Sequence, residues 1–177
     1  MNLYYTGAAN LDEAQQNPTL SLGNYISSTQ VPNDFLGATF EEISKLKITR
    51  GSKQVFMLAL KNTTGSTATD VTIYYDYPTS NKYSLQLAFV SPSNDLFEKI
   101  PSNQSSPLSA TFVEYSGVGN AVNIGDIANN AYIGVWFRAE LVASNVDQLT
   151  CDELYDNYVA ETVTPTEESL SFVISYT

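Results

Sequence analysis

The sequence predicts an all-β fold, an antiparallel β-sandwich of immunoglobulin-like or jelly-roll-like kind, and three observations predict it. Six or more short runs enriched in β-branched and aromatic residues recur along the chain, and most of them alternate apolar and polar side chains with period two. The turn-forming clusters SPSND, PSNQSSP and SGVGN fall between these runs at the spacing of sandwich strands. The composition, 43% hydrophobic and 15% charged over 177 residues, is that of one folded domain able to bury a core without disulfides or metals. Residues 45–177 are assigned to the sandwich and residues 1–40 to an extended N-terminal arm.

The arm has many turn residues and no sustained period, yet it carries Leu3, Tyr4, Tyr5, Leu20, Leu22, Tyr25, Ile26, Phe35 and Leu36. So many large apolar side chains need a cover. Either the arm folds back over its own sandwich or it lies across a neighbouring subunit. Thr39-Phe40-Glu41-Glu42 predicts a helical turn before the basic strand KLKITR.

Next, VFMLALKN (55–62) is apolar on both faces from Val55 to Leu60, as suits an interior strand covered on both sides. The loop TTGSTA leads into DVTIYYDYP, where Val71, Ile73, Tyr75 and Tyr77 share one face and Thr72, Tyr74 and Asp76 the other. In YSLQLAFV, Tyr83, Leu85, Leu87 and Phe89 point inward. SATFVEYS (109–116) predicts a further strand, and so does the C-terminus, where Leu170, Phe172, Ile174 and Tyr176 alternate with polar neighbours or Val173.

The run AYIGVWFRAEL raises a question. It places Ile133, Val135, Phe137, Ala139 and Leu141 on a core face, and Gly134, Trp136, Arg138 and Glu140 on the other. The second face carries the only Trp in the chain and its last basic residue, and something must cover it. Finally, Thr150-Cys151-Asp152-Glu153 has the form of a capping box, and Leu154, Tyr155 and Tyr158 follow at helical spacing, so one short helix is predicted over 151–159. An acidic loop is the alternative there.

Reaction chemistry is largely excluded by residue type. With no histidine, Ser-His-Asp and Cys-His arrangements and His-ligated zinc sites are absent. Cys151 has no imidazole partner and, being the only cysteine, forms no internal disulfide. Paired acids remain, Glu41 with Glu42 or Asp152 with Glu153 and Asp156, but neighbouring acids on a strand diverge and acids on a short helix face solvent. No calcium loop of the D-x-[DN]-x-[DN]-G form occurs, and the glycine-rich SGVGNAVNIGD lacks the lysine and following helix of a phosphate loop. The expectation is a non-enzyme with no cofactor and no metal.

A net charge of −11, from 19 acidic and 8 basic side chains, argues against direct binding to nucleic acid or to anionic lipid. No apolar run reaches the roughly 20 residues that span a bilayer, and MNLYYTGAAN lacks the features of a signal peptide, so the expected compartment is a reducing cytosol. The glycosylation-type triplets at Asn62 and Asn103 are then read as chance. Five of the eight basic residues, Lys45, Lys47, Arg50, Lys53 and Lys61, lie between 45 and 61, whereas only acids follow Arg138. One basic and one acidic edge suit head-to-tail association into rings; a solvated surface of uneven charge accounts for the pattern equally well.

The segments LYYTGA, SLGNYISSTQVPNDFL, LKNTTGSTATDVTIYYDYP and NIGDIANNAYIGVWFRAEL resemble small virion structural proteins of tailed bacteriophages, particularly the crAss-like phages of gut Bacteroidales. The hairpin and the Trp136 block also resemble immunoglobulin-like modules. The resemblance implies a non-enzymatic protein made in the host cytoplasm and incorporated in the virion. There it would be a connector, collar or tail ring component, a homo-oligomer meeting portal, ring, tail or capsid proteins. A capsid decoration or head-fibre subunit is the alternative in the same setting. A carbohydrate-binding module, stacking sugars on some of the 12 tyrosines or on Trp136, is a third. The contact candidates are the apolar arm residues, Lys45, Lys47, Arg50 and Lys53, Trp136 with Arg138, and Asp152, Glu153 and Asp156.

Overall fold

Six consecutive apolar side chains, Val55 to Leu60, require a strand with two dry faces, and the architecture is built around that requirement. The computed structural model describes residues 1–32, 52–76, 83–141 and 171–177. The helix expected over 151–159, the turn after Thr39 and the KLKITR strand lie outside the described residues. So do Phe35, Lys45, Lys47, Arg50, Asp152, Glu153 and Asp156.

Among the described residues the chain forms β1 (Asn2–Ala8), β2 (Asn24–Gln30), β3 (Ser52–Lys61), β4 (Thr72–Asp76), β5 (Tyr83–Val90), β6 (Leu96–Phe97), β7 (Val122–Asn123), β8 (Tyr132–Leu141) and β9 (Ser171–Ser175). Two 3-10 turns, Pro18–Leu20 and Val118–Asn120, are the helical elements among the described residues. The strands make a six-stranded sheet of order β5-β8-β3-β1-β2-β6 and a three-stranded sheet of order β7-β4-β9, with every strand pair antiparallel. The fold is thus an all-β sandwich.

The centre of the large sheet is the β3–β8 ladder, which runs without a break from Ser52 opposite Leu141 to Lys61 opposite Tyr132. On its first face Phe56, Leu58 and Leu60 lie beside Val135 and Phe137, and the Phe56 and Phe137 rings stack in parallel at 4.8 Å. The small sheet closes this face with Val71, Ile73 and Tyr75 of β4 and with Phe172 of β9, whose ring lies 5.4 Å from Phe137. The second face holds Val55, Met57, Ala59, Ala88 and Trp136, closed over by Ile26, Phe97 and Ile100 with Leu22, Ala110 and Phe112 at the margin. The two-sided apolar pattern of β3 therefore has two separate covers, the small sheet on one side and, on the other, side chains of β2 and β6 at the far edge of its own sheet together with the loop after β6.

The first 32 residues, expected as an extended arm folded back over its own sandwich or laid across a neighbouring subunit, supply two strands of the large sheet. β1 is inserted between β3 and β2, with Asn2 to Tyr5 paired to Lys61 to Leu58. This segment is covered by its own sandwich. Its strand pattern is hidden because the β1–β2 register shifts twice, between Tyr4 and Thr6 and again between Thr6 and Ala8. Irregular pairing of this kind breaks the regular alternation of a ladder.

The strand expected over 109–116 is also corrected. Val113 pairs with Leu87 of β5 for a single antiparallel bridge, and Ser116 then makes a parallel bridge to Tyr75 of β4. The segment crosses from one sheet to the other, with Tyr115 accepting the Tyr75 N–H at 3.0 Å, and so extends neither ladder.

Beyond β3, Asn62 is fully buried. Its amide donates to the Ser66 and Ile127 carbonyls, both at 2.7 Å, and its oxygen accepts the Thr64 N–H at 3.0 Å and hydroxyl at 2.8 Å. Both amide hydrogens of this triplet asparagine are therefore committed to the fold. Asn62→Ala leaves two carbonyls and an N–H without it, and a stability loss of about 3 kcal/mol is expected. For a domain of this size that is a fall of roughly 6–12 °C in the thermal midpoint, readable by circular dichroism.

Candidate assembly surface

Trp136 has no exposed surface, and its cover is intramolecular. Expected as a contact residue, it offers a neighbour nothing to touch, because the loops around Ile100 and the side chain of Ile26 already occupy that face. Its indole Nε1–H is buried without a protein hydrogen-bond partner. Arg138 is held by its own chain as well. The guanidinium lies 4.3 Å from the Phe112 ring centroid, its Nε donates to Gln86 Oε1 at 2.8 Å, and a second nitrogen donates to the same oxygen. Glu140 stands 3.9 Å away, a distant ion pair for a side chain about one-fifth exposed. Cation–π stacking and a shared amide oxygen, not a neighbour, account for Arg138.

Other contact candidates divide by burial. Tyr5 and Ile26 are buried, whereas Leu3, Tyr4, Leu22 and Tyr25 are half-buried. Tyr5 belongs to the first-face core, and burial pushes its hydroxyl above the ordinary tyrosine range. The Lys61 ammonium sits over the Tyr4 ring at 5.7 Å. Leu20 is 55% exposed on its 3-10 turn, and Lys53 donates to the Ser106 hydroxyl at 3.0 Å. The structure does not gather these side chains into one surface.

It does expose a different set, which sequence reasoning missed. Within 107–120, Leu108 is 97% exposed, Val118 77% and Val113 41%. Their backbone is pinned at several points. Glu98 Oε1 accepts the Leu108 N–H at 2.7 Å, and Oε2 accepts the Ser109 N–H at 2.8 Å and hydroxyl at 2.5 Å. Val113 exchanges both backbone hydrogen bonds with Leu87, and the Gly117 N–H donates to Tyr75 at 2.8 Å. Burial pushes the Glu98 carboxyl up, but the Ser109 hydroxyl and the Leu108 and Ser109 amides outweigh it, so its pKa is lowered. These donors favour the ionised form and keep the loop in place.

Behind this segment lies an open cleft of about 420 Å³, lined by Phe89, Tyr115, Val122, Ile124 and Ile133 with the Ser91, Ser109 and Thr111 hydroxyl residues. The Phe89 and Tyr115 rings are 5.7 Å apart and tilted by 50°. Among the described residues no charged side chain lines the cleft. Among the described residues no three His, Cys, Asp or Glu side chains converge to hold a metal, and no helix is long and apolar enough to cross a membrane. Comparison with protein-family models, with curated proteins and with solved structures finds no match.

Proposed function

We propose that this chain is a non-enzymatic structural subunit that works through contacts with other subunits, and that its setting is a bacteriophage virion. One observation supports the assembly reading above others: the 107–120 segment holds Leu108, Val113 and Val118 out in water on a backbone fixed by Glu98, Leu87 and Tyr75. Apolar side chains on flexible loops gain little from docking because ordering them offsets the burial; on a pinned backbone that ordering is already done. Within a virion the favoured place is a connector, collar or tail ring, because the acidic C-terminal third and the basic 45–61 stretch suit contacts between successive subunits. Capsid decoration uses the same kind of surface.

The test is the mass of the purified full chain by light scattering, at low and high salt and over a concentration series. A discrete oligomer is expected, and a monomer under every condition overturns self-assembly. Immunogold labelling of purified phage particles checks the setting. Labelling confined to the neck or tail supports the ring place, a labelled capsid surface transfers the protein to decoration, and unlabelled particles overturn the virion reading.

A further inference from the structure

We infer that the Glu98 carboxylate is an acid-released clasp: once protonated, it lets the strap formed by residues 107–112 lift away while the rest of the sandwich stays folded. Among the described residues, the hydrogen bonds that hold this span are the three that Glu98 accepts, from the Leu108 N–H at 2.7 Å, the Ser109 N–H at 2.8 Å and the Ser109 hydroxyl at 2.5 Å. On either side the chain is fastened independently. Before the strap the Lys53 ammonium donates to the Ser106 hydroxyl at 3.0 Å, and after it Val113 exchanges both backbone hydrogen bonds with Leu87. The strap's other hold is packing at the margin of the second face, by Ala110 and by Phe112 over the Arg138 guanidinium. It is a span with two fixed ends and one fastening between them.

A carboxylate accepts all three donors at once and does so with its full charge. A proton removes that charge and turns one oxygen into a hydroxyl that needs an acceptor of its own, so the fastening weakens. Burial pushes the Glu98 carboxyl up, and the Ser109 hydroxyl with the Leu108 and Ser109 amides pulls it below its ordinary value of 4.5. Those donors leave when the strap lifts, so the open form holds the proton more tightly than the closed form and acid favours opening. The stabilisation is complete above pH 4.5 and is lost as pH falls through the lowered value. The ionisable groups on the elements around the clasp are Asp95 and Lys99 on its own segment, Tyr25 of β2 opposite Leu96, Lys53 at Ser106, and Arg138 at the Phe112 ring. None of them contributes to the Glu98 ionisation, which burial and the three donors govern. The device goes beyond the assembly reading and belongs to the isolated chain; where that reading holds, an open strap also frees Leu108.

The experiment is amide hydrogen exchange of the full chain by NMR, corrected for intrinsic rates, from pH 7 down to the onset of global unfolding. Opening at Leu108 and Ser109 is expected to increase as pH falls below 4.5, while the Val113 amide stays protected and Trp136 stays shielded by Ile26, Phe97 and Ile100. Glu98→Gln keeps the size and one acceptor but no charge, so at pH 7 it should already open Leu108 and Ser109 about 5-fold more often than the parent and show no further rise in acid. Ser109→Ala removes one of the donors that favour the ionised form, so it should move the transition to higher pH. Exchange at Leu108 and Ser109 that is independent of pH in the parent overturns the clasp. An acid rise that persists in Glu98→Gln assigns the opening to another carboxyl and overturns it too. A Val113 amide that loses protection in step with Leu108 shows global unfolding in place of a local strap and overturns the device.

Discussion

Gly23→Ala is expected to destabilise the fold by about 3–5 kcal/mol, a combination of left-handed backbone strain and an unrelieved clash. Gly23 enters β2 with φ of +94°, a region that side chains with a Cβ rarely adopt. A Cβ placed there meets the Glu98 carbonyl oxygen at 1.9 Å and its carbon at 2.8 Å. Both are backbone atoms, so no rotamer change relieves the contact. The neighbouring residues cannot give way cheaply either, because Asn24 pairs with Phe97 and the Ile100 N–H donates to Leu22 at 3.0 Å. To admit a methyl group, β6 and the following loop must lift away from β2, and that loop carries the Phe97 and Ile100 cover of the second face. Gly65→Ala provides the comparison: its φ is +92°, but no atom lies within 4 Å of the added Cβ. It should lose only the backbone term of about 1–2 kcal/mol. Urea denaturation of the two variants measures the difference, and equal losses would show that the Gly23–Glu98 approach is not tight in solution.

That close approach also shows what periodicity can and cannot carry. β3, β4, β5 and β8 were legible because each keeps strict alternation, or full apolarity, over its length, and the β3–β8 ladder has no register shift to scramble it. The need for a cover over Trp136 was legible too. The identity of the cover was not. It is supplied by Ile26, in a strand whose pairing is bulged, and by Phe97, Ile100 and Phe112, in a stretch dominated by turns. Likewise β1 reads as irregular because it is short and its pairing with β2 shifts register twice.

The Leu108 surface was illegible for a different reason. A single leucine between Pro107 and Ser109 carries no pattern, and its exposure is set by Glu98 reaching across ten residues to two backbone N–H groups. Side-chain-to-backbone bonds of this kind have no fixed spacing in sequence. The available signal was indirect: an apolar residue inside a turn cluster that no strand register could bring to the core. Conversely, the solitary Trp136 and Arg138 drew attention by their rarity, yet their environment is ordinary core packing and a stacked guanidinium.

Trp136→Ala is expected to remove about 3–5 kcal/mol of stability, whereas Trp136→Phe should lie within about 1 kcal/mol of the parent. The alanine variant deletes the largest side chain of the second-face core, against Met57, Ala88 and Phe97, in a place where two strands of the central ladder prevent collapse. The phenylalanine variant loses less area and also deletes the Nε1–H, a buried donor with no protein acceptor, so one loss offsets the other. Fluorescence supplies an independent check, since a single fully buried indole should emit in the blue and resist acrylamide until the chain unfolds. Ready quenching of the folded protein would contradict the intramolecular cover. The same variant separates stability from assembly. Trp136→Ala undermines the layer that carries residues 96–112, and with it the loop holding Leu108, so it should reduce self-association while lowering the melting point. Leu108→Asp should reduce self-association with the melting point unchanged. Two variants with the same assembly defect, one with a lowered and one with an unchanged melting point, would locate the contact on the outside of the layer over Trp136 and its support on the inside.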